Sequence, residues 1–222
     1  MPTDTLLAHS EAALAKGLPE VQPIALISRT DPFNDAGWVF EPHYEGLRAL
    51  LYGSALGCEV RCSPELPMPR MADLRARVSE VLQQREAILD GQIVSLNRQG
   101  KPVFENLLRG DGYLAFAAFD LLWLDGVDLR KRSLSERKES LSGLLPVDTG
   151  PLYKILTIEE YGQALFNAVK KMDLEGIVAK CKDDAYTPDT RWYTISTRGS
   201  AKHGWAEVVR PRGRYRVLDA DL

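Results

Sequence analysis

The sequence predicts an α+β fold built around packed β-sheets. Strand-like runs follow one another between residues 38 and 123, with helices inserted between them and no regular alternation of strand and helix. This order is typical of antiparallel sheets flanked by helices. The chain has 222 residues, of which 45% are hydrophobic and 27% charged. That is enough for one core of about 200 residues, so we expect a single domain.

Strands are predicted by runs that are rich in β-branched and aromatic residues, namely residues 38–41, 47–52, 58–62, 88–96 and 113–123. Gln99 and Gly100 lie between VSL and PVF, where we predict a hairpin turn. Asp125 and Gly126 follow the apolar run FAAFDLLWL and predict the turn that ends the last strand. We also expect Asp120, inside that run, to belong to a turn rather than to catalyse a reaction.

Helices are predicted at four places. Residues 5–16 form the first. The second is indicated by apolar residues at steps of three and four, which are Met71, Leu74, Val78 and Leu82. Two more are predicted by a Ser or Thr that is followed three residues later by Glu, which is the spacing of a capping box. These pairs are Ser133 with Glu136 and Thr157 with Glu160.

The charge balance argues against strong independent binding to DNA. The chain has 28 basic and 31 acidic residues, a net charge of −3, and non-specific DNA affinity comes chiefly from basic residues that neutralise phosphates. The basic groups at 130–132 and 210–216 are expected to be solvated. No apolar run approaches the length of a membrane span, and the N-terminus lacks the features of a signal peptide. With three irregularly spaced cysteines, we expect a cytoplasmic protein with reduced thiols.

Three segments carry the most specific information: WVFEPHYEGLR at 38–48, AILDGQIVSL at 87–96 and LEGIVAKCK at 174–182. Together they resemble the nucleotidyltransferase (adenylation) domain of ATP-dependent DNA ligases, most closely the bacterial end-joining kind. The resemblance implies two packed antiparallel sheets flanked by helices, with a nucleotide held in the cleft between them. It covers residues 21–210, so we expect an N-terminal helical extension at 1–20, a short basic tail at 211–222 and no oligonucleotide-binding barrel.

The first segment departs from the family at the residue that matters most for catalysis. In the family it reads Glu-x-Lys-x-Asp-Gly-x-Arg, and the lysine takes AMP onto its side-chain nitrogen. Here Glu41, Glu45, Gly46 and Arg48 keep the frame, but His43 stands at the lysine position. The imidazole is shorter and more rigid than a lysine side chain, and a misplacement of about 1 Å can cost about a hundredfold in rate.

Further departures affect the groups that the family uses to bind phosphate and metal. Pro64 follows Ser63 where the resemblance implies an arginine, and Gln92 replaces a glutamate that helps to hold the ribose and the metal. An amide oxygen is a weaker ligand for a hard cation than a carboxylate. In RWYTIS, Thr194 and Ser196 stand where two phosphate-facing lysines belong.

Other positions match the family pattern. Glu41 lies where the family contacts adenine, and Phe119 matches the aromatic residue that stacks on the base, although it could equally be part of the core. Glu175 matches a carboxylate linked to the metal, or could be a charge at a strand edge. Arg48 matches the arginine of the first segment.

We interpret the chain as a DNA-ligase-like protein, linked to DNA repair or recombination, that is catalytically inactive and acts as a binding or assembly module. One alternative is a minimal active ligase or nucleotidyltransferase that uses ATP, with its chemistry routed through His43 or supplied by a partner. Another is a nucleotide sensor. The resemblance implies ATP and Mg²⁺ as cofactors, while the substitutions argue against binding of either. DNA or DNA end-repair proteins are the expected partners.

Overall fold

Eleven strands and four helices form the part of the chain that the computed structural model describes, which is residues 17–62, 69–146 and 150–198. The strands are β1 (Leu26–Ser28), β2 (Asp35–His43), β3 (Leu47–Ser54), β4 (Gly57–Cys62), β5 (Ala87–Leu96), β6 (Tyr113–Leu124), β7 (Val127–Asp128), β8 (Leu152–Lys154), β9 (Ile158–Glu160), β10 (Gly176–Cys181) and β11 (Trp192–Ser196). The helices are α1 (Met71–Leu82), α2 (Phe104–Arg109), α3 (Leu134–Leu144) and α4 (Gly162–Lys171).

The strands form two sheets, as predicted. The first sheet has the order β1-β11-β10-β2-β9, and the second has the order β4-β3-β5-β6-β7 with β8 paired to β6. Most pairs are antiparallel, but β1 pairs with β11, and β8 with β6, in parallel. The α+β fold of two packed sheets with few helices is therefore confirmed, with these two parallel pairs as an addition to the prediction.

The sheets pack face to face, and helices cover their outer faces. Leu50 and Leu122 of the second sheet meet Val178 and Trp192 of the first in one buried cluster. Outside the first sheet, Ile177 packs in a cluster with residues of α4. Successive residues of a strand point to opposite faces. Strand β10 therefore presents Ile177 and Ala179 to the helix and Val178 and Lys180 to the other sheet.

Of the two helix starts that were predicted from capping-box spacing, one is confirmed and one is wrong. Ser133 caps α3, and a reciprocal capping box with Glu136 is present. The helix predicted from Thr157 is wrong, because Ile158–Glu160 is strand β9, which pairs with β2, and α4 begins only at Gly162. The Thr157 hydroxyl instead contacts Lys138 and Glu41.

Of the two predicted turns, the one at Asp125 and Gly126 is confirmed, and the hairpin at Gln99 and Gly100 is confirmed only in part. A tight turn closes at Gly100, whose N–H donates to the carbonyl of Asn97 at 2.9 Å. Beyond it, a single bridge joins Leu96 to Pro102 before the chain enters α2, so no second long strand follows. Asp125 and Gly126 form the turn between β6 and β7, with φ of 45° and 84°.

The prediction for Asp120 is wrong. Asp120 is fully buried inside β6, where its carboxylate forms a two-pronged ion pair with Arg137 of α3, at 2.8 and 2.9 Å. A buried charge must be paired, and the partner comes from a helix that the sequence places well after the strand.

Several predictions lie outside the described residues. These are the helix at 5–16, the pair Ser63 and Pro64, the basic group at 210–216 and the tail at 211–222. Among the residues that are described, no helix is long and apolar enough to cross a membrane. The three cysteines, Cys58, Cys62 and Cys181, are free thiols.

Candidate functional site

A cavity of about 350 Å³ lies between the two sheets and collects most of the predicted site residues. Six of them line it, namely Glu41, His43, Arg48, Gln92, Phe119 and Thr194. Strand register explains why they meet. Val178 of β10 pairs with Glu41 on one side and with Thr194 on the other, so these three side chains form a row across the first sheet. In the second sheet, Arg48 pairs directly with Gln92.

The carboxylate of Glu41 is buried and contacts two lysines. Its Oε2 lies 2.7 Å from Lys180 Nζ, and its Oε1 accepts a hydrogen bond from Lys138 Nζ. Thr157 Oγ1 lies 3.4 Å from the same Oε1. Burial alone would raise the pKa of Glu41, but the two ammonium charges outweigh burial and hold its pKa below the usual 4.5. The carboxylate is therefore ionised, and both of its oxygens are already engaged.

Phe119 and Trp192 form the aromatic wall of the cavity. Their rings meet edge to face, with centroids 5.6 Å apart. Lys180 Nζ lies 4.1 Å from the centroid of Phe119 and 3.9 Å from that of Trp192, which is close enough for cation–π attraction to both rings. Burial lowers the pKa of Lys180 to about 8, with Glu41 opposing the change, so the amine is mostly charged at neutral pH. Phe119 thus belongs both to the intersheet core and to the cavity wall.

Arg48 is held by a buried carboxylate. Its guanidinium donates to both oxygens of Asp90, at 3.1 and 2.7 Å, and to the carbonyl of Ile24. The hydroxyl of Tyr186 donates to the same carboxylate at 2.6 Å. The two cations that line the cavity in the described part of the chain, Arg48 and Lys180, are thus each paired with a carboxylate.

At the other end of the cavity, His43 lies between Thr194 and Glu175. Its Nδ1 is 3.5 Å from Thr194 Oγ1 and 3.7 Å from Glu175 Oε2. Burial, together with the negative charge of Glu45, raises the pKa of Glu175 to about 7. Glu175 therefore exchanges a proton near neutral pH, which is unusual for a glutamate and common at functional sites.

A network of charged residues lies next to Glu175, outside the lining of the cavity. Arg198 donates to Glu45 at 3.0 Å and to Asp173 at 3.3 Å, and Lys101 lies 3.2 Å from Asp173. Ser196 does not line the cavity, and its Oγ accepts a hydrogen bond from the backbone N–H of Arg198 at 3.2 Å. Arg198 and Lys101 are thus both engaged by carboxylates.

The residues present do not fit Mg²⁺. The side-chain amide of Gln92 donates to the carbonyl of Tyr44 at 3.5 Å, and its oxygen is a weak ligand for a hard cation. Within residues 17–62, 69–146 and 150–198, no group of three or more His, Cys, Asp or Glu side chains is suited to a metal ion.

A second cavity, of about 430 Å³, lies between α3 and residues 154–159. It contains none of the predicted site residues, although Lys138 and Ile155 connect it to the first cavity. We assign the functional site to the smaller cavity because the motif residues converge there.

Lys180, Lys138 and Asp90 are functional-site residues that sequence reasoning did not single out. Lys180 had a usable signal, since it stands two residues after Val178 in LEGIVAK and so faces the same way. Lys138 had none, because it contacts Glu41 from a helix 97 residues further along the chain.

Comparison with known proteins supports the resemblance. A family model for the ATP dependent DNA ligase domain matches residues 21–195. The chain is 27% identical over 199 residues to the SPbeta prophage-derived DNA ligase-like protein LigB of Bacillus subtilis, covering 85% of this chain and 67% of LigB. It is 30% identical over 161 residues to the multifunctional non-homologous end joining protein LigD of Mycolicibacterium smegmatis. That match covers 69% of this chain but 20% of LigD.

Solved structures agree with this result. A structure of mycobacterial DNA ligase D complexed with ATP and MES aligns with a TM-score of 0.68 at 27% identity, over 79% of this chain and 60% of that chain. A Chlorella virus DNA ligase-adenylate aligns with a TM-score of 0.56 at 13% identity, which supports the fold alone.

Proposed function

The chain belongs to the ATP-dependent DNA ligase domain family, with a DNA ligase adenylation fold related to the end-joining ligases, and on that premise we propose that it does not form a covalent nucleotide intermediate. It acts instead as a binding or assembly module in DNA repair or recombination. The observation that carries this proposal is the environment of His43, which lies between Thr194 and Glu175 at the position of the family's lysine.

Covalent nucleotidyl transfer needs a nucleophile that reaches the α-phosphate, cations that stabilise the charge on that phosphate, and carboxylates that hold a metal. His43 offers a short, rigid ring in place of a lysine. Among the described residues, the cations that line the cavity are Arg48 and Lys180, which pair with Asp90 and Glu41. Loss of a single transition-state donor typically lowers a rate by about 10²–10³. The combined losses leave no useful rate.

The partners in this proposal are DNA or DNA end-repair proteins, and the compartment is the cytoplasm. The link to end joining rests on relatives such as LigD, of which the chain spans only a fifth. A net charge of −3 favours weak DNA binding by the chain alone, so a protein partner would place it at a DNA end. The three free thiols are compatible with a reducing compartment.

A second candidate function, a nucleotide sensor, is favoured by the cavity itself. The 350 Å³ space keeps an aromatic wall at Phe119 and a polar end at Glu41, so a base could bind there without any transfer chemistry. Titration calorimetry with adenosine, ATP and AMP separates a sensor from a pure assembly module, which would show no heat of binding.

Intact-mass measurement tests the main proposal. The full chain is incubated at neutral pH with ATP or GTP and with Mg²⁺ or Mn²⁺, beside His43→Ala as the matched control and the LigD ligase domain as a positive control. We expect an adduct on the LigD domain and none on this chain. A gain of one nucleotide monophosphate that disappears in His43→Ala would show that the chain is an active nucleotidyltransferase.

A further inference from the structure

The larger cavity, between α3 and residues 154–159, combines apolar side chains with hydrogen-bond donors. Its volume is about 430 Å³. Its lining includes five apolar residues, namely Val39, Leu134, Leu141, Ile155 and Leu156. It also includes two lysines and three residues with a hydroxyl group, which are Lys138, Lys154, Ser135, Ser142 and Thr157. An ammonium and a hydroxyl both donate to an anion, so this lining suits a ligand that joins an anionic group to an apolar body.

The acidic residues of the larger cavity oppose an anion only weakly, because both are exposed. Glu159 pairs with Lys182, and its side chain is 70% exposed. Glu139 is exposed on α3. The side chain of Lys138, by contrast, is only 16% exposed. Water and salt screen exposed charges more strongly than buried ones, so the charge of Lys138 acts on an anion in the cavity more strongly than those of the two glutamates.

Lys138 lies between the two cavities. Its side chain lines the larger cavity, while its Nζ donates to Glu41 Oε1 in the smaller one. The same Nζ is 3.2 Å from the hydroxyl of Thr157, which also lines the larger cavity. A lysine ammonium stands on a flexible four-carbon stem and can turn from one anion to another. Lys180, which also contacts Glu41, lacks this freedom, because its side chain is 1% exposed and packs against two aromatic rings.

From these contacts we propose that the larger cavity is a second ligand site, for an amphipathic anion, and that Lys138 links it to the nucleotide cavity. The anionic group forms a charge-assisted hydrogen bond with the Lys138 ammonium and draws it away from Glu41. Glu41 Oε1 is then open to a hydrogen-bond donor on a nucleotide base. The link rests on the nucleotide-sensor form of the proposed function, whereas the anion site does not.

The link works in both directions. The Lys138 ammonium is divided between Glu41 and the anion, so each ligand favours the state that the other one binds. An anion in the larger cavity therefore raises the affinity for the base by the same factor as the base raises the affinity for the anion. A ligand without a negative charge does not distinguish the two positions of Lys138 and shifts nothing.

Titration calorimetry on the full chain tests the anion site without a nucleotide. The probes are phenyl phosphate, inorganic phosphate and benzyl alcohol, which carry both features, the charge alone and the apolar ring alone. We expect phenyl phosphate to bind at least about tenfold more tightly than either of the others. No binding of phenyl phosphate, or equally tight binding of benzyl alcohol, would overturn the anion site.

Two variants locate the binding in the larger cavity. Lys138→Met should weaken phenyl phosphate binding by at least about tenfold, and Lys138→Arg, which keeps the charge, should weaken it less. Ser142→Trp places a bulky side chain at an exposed position of α3 and should block the cavity. Lys170→Met is the matched control, since Lys170 is an exposed lysine of α4 that does not line the cavity. Unchanged affinity in Lys138→Met or Ser142→Trp, with circular dichroism showing a folded protein, would overturn the assignment.

The link is measured by titrating adenosine into the unmodified chain with and without saturating phenyl phosphate. We expect phenyl phosphate to tighten adenosine binding at least about fivefold, and to have no such effect in Lys138→Met. Equal adenosine affinity in the unmodified chain would overturn the link.

Failure of the proposed function has a different signature. Absence of any adenosine binding would exclude the nucleotide sensor, and Glu41→Gln would then decide the link. This variant removes the carboxylate that competes for Lys138, so phenyl phosphate should bind at least about fivefold more tightly, and an unchanged affinity would overturn the link. A covalent adduct in the intact-mass test would overturn the proposed function and leave the anion site standing.

Discussion

Glu175 provides a direct test of the electrostatics at the His43 end of the cavity. Its Oε2 is buried, and it lies 3.7 Å from His43 Nδ1. Burial and the charge of Glu45 raise its pKa from the usual 4.5 to about 7. Glu175→Gln keeps the shape of the side chain and removes the ionisable group, so the variant measures what the buried charge costs the folded protein.

The sign and the magnitude follow from the two pKa values. Below pH 4.5, Glu175 is protonated in both the folded and the unfolded chain and its ionisation costs nothing. Between pH 4.5 and about 7 the unfolded chain ionises first, so the free energy of unfolding falls as the pH rises. Above about pH 7 the full cost remains, and at about 1.4 kcal/mol for each pH unit it amounts to about 3 kcal/mol.

Urea unfolding followed by tryptophan fluorescence measures this difference. Glu175→Gln should be more stable than the unmodified chain by about 1 kcal/mol at about pH 5 and by about 3 kcal/mol at about pH 8. Glu80→Gln is the matched control, because Glu80 is an exposed glutamate on α1 and its replacement should change stability little. A stabilisation by Glu175→Gln that is equal at both pH values would refute the reasoning.

Three further predictions concern the site and the fold. The variant His43→Lys should not seal a nicked duplex in a gel assay. It still lacks the lysines that the family pattern has at positions 194 and 196 and the glutamate that it has at position 92, and catalytic residues that act together are not restored one at a time. Sealing by this variant would show that the nucleophile is the one missing group. Arg137→Met should lower the free energy of unfolding, measured with urea, by about 3–5 kcal/mol, because it leaves the buried Asp120 without its partner. Adding Asp120→Leu to this variant should restore most of the lost stability. Gly176→Ala should lower the free energy of unfolding by about 1–3 kcal/mol, because a Cβ at position 176 would lie 2.1 Å from the carbonyl oxygen of Ile195. Unchanged stability of this variant would mean that β10 and β11 can move apart.

Much of the fold could be predicted because its signals are local. The strand runs, the apolar spacing of α1 and the capping box at Ser133 each lie within a dozen residues or so, and the structure confirms them. Thr157 shows where a local signal fails. Its spacing to Glu160 fits a helix cap, but pairing of β9 with β2 overrides that preference, and its hydroxyl contacts Lys138 and Glu41.

The positions of the motif residues in the candidate site could be predicted from the sequence, but the ion pairs that these residues form could not. The motif positions identified Glu41, His43 and Thr194, and strand register brings them together. Which cations meet Glu41 depends on contacts between residues about 100 or more positions apart, with Lys138 in a helix and Lys180 in a strand. Periodicity places Lys180 on the correct face of β10, but no sequence pattern places Lys138.

The residue at position 43 and the ionisation of Glu175 should be coupled, because a lysine at position 43 would favour the ionised form of that carboxyl. An opposite charge within about 4–6 Å lowers a carboxyl pKa by about 1–3 units. A lysine at position 43 would bring its ammonium close to Glu175, since His43 Nδ1 already lies 3.7 Å away. In a His43→Lys background, the extra stability gained by Glu175→Gln at high pH should therefore shrink by more than about 1 kcal/mol, measured as a double-mutant cycle by the same urea unfolding. An undiminished gain would mean that burial and the charge of Glu45 set the pKa of Glu175 whichever residue stands at position 43.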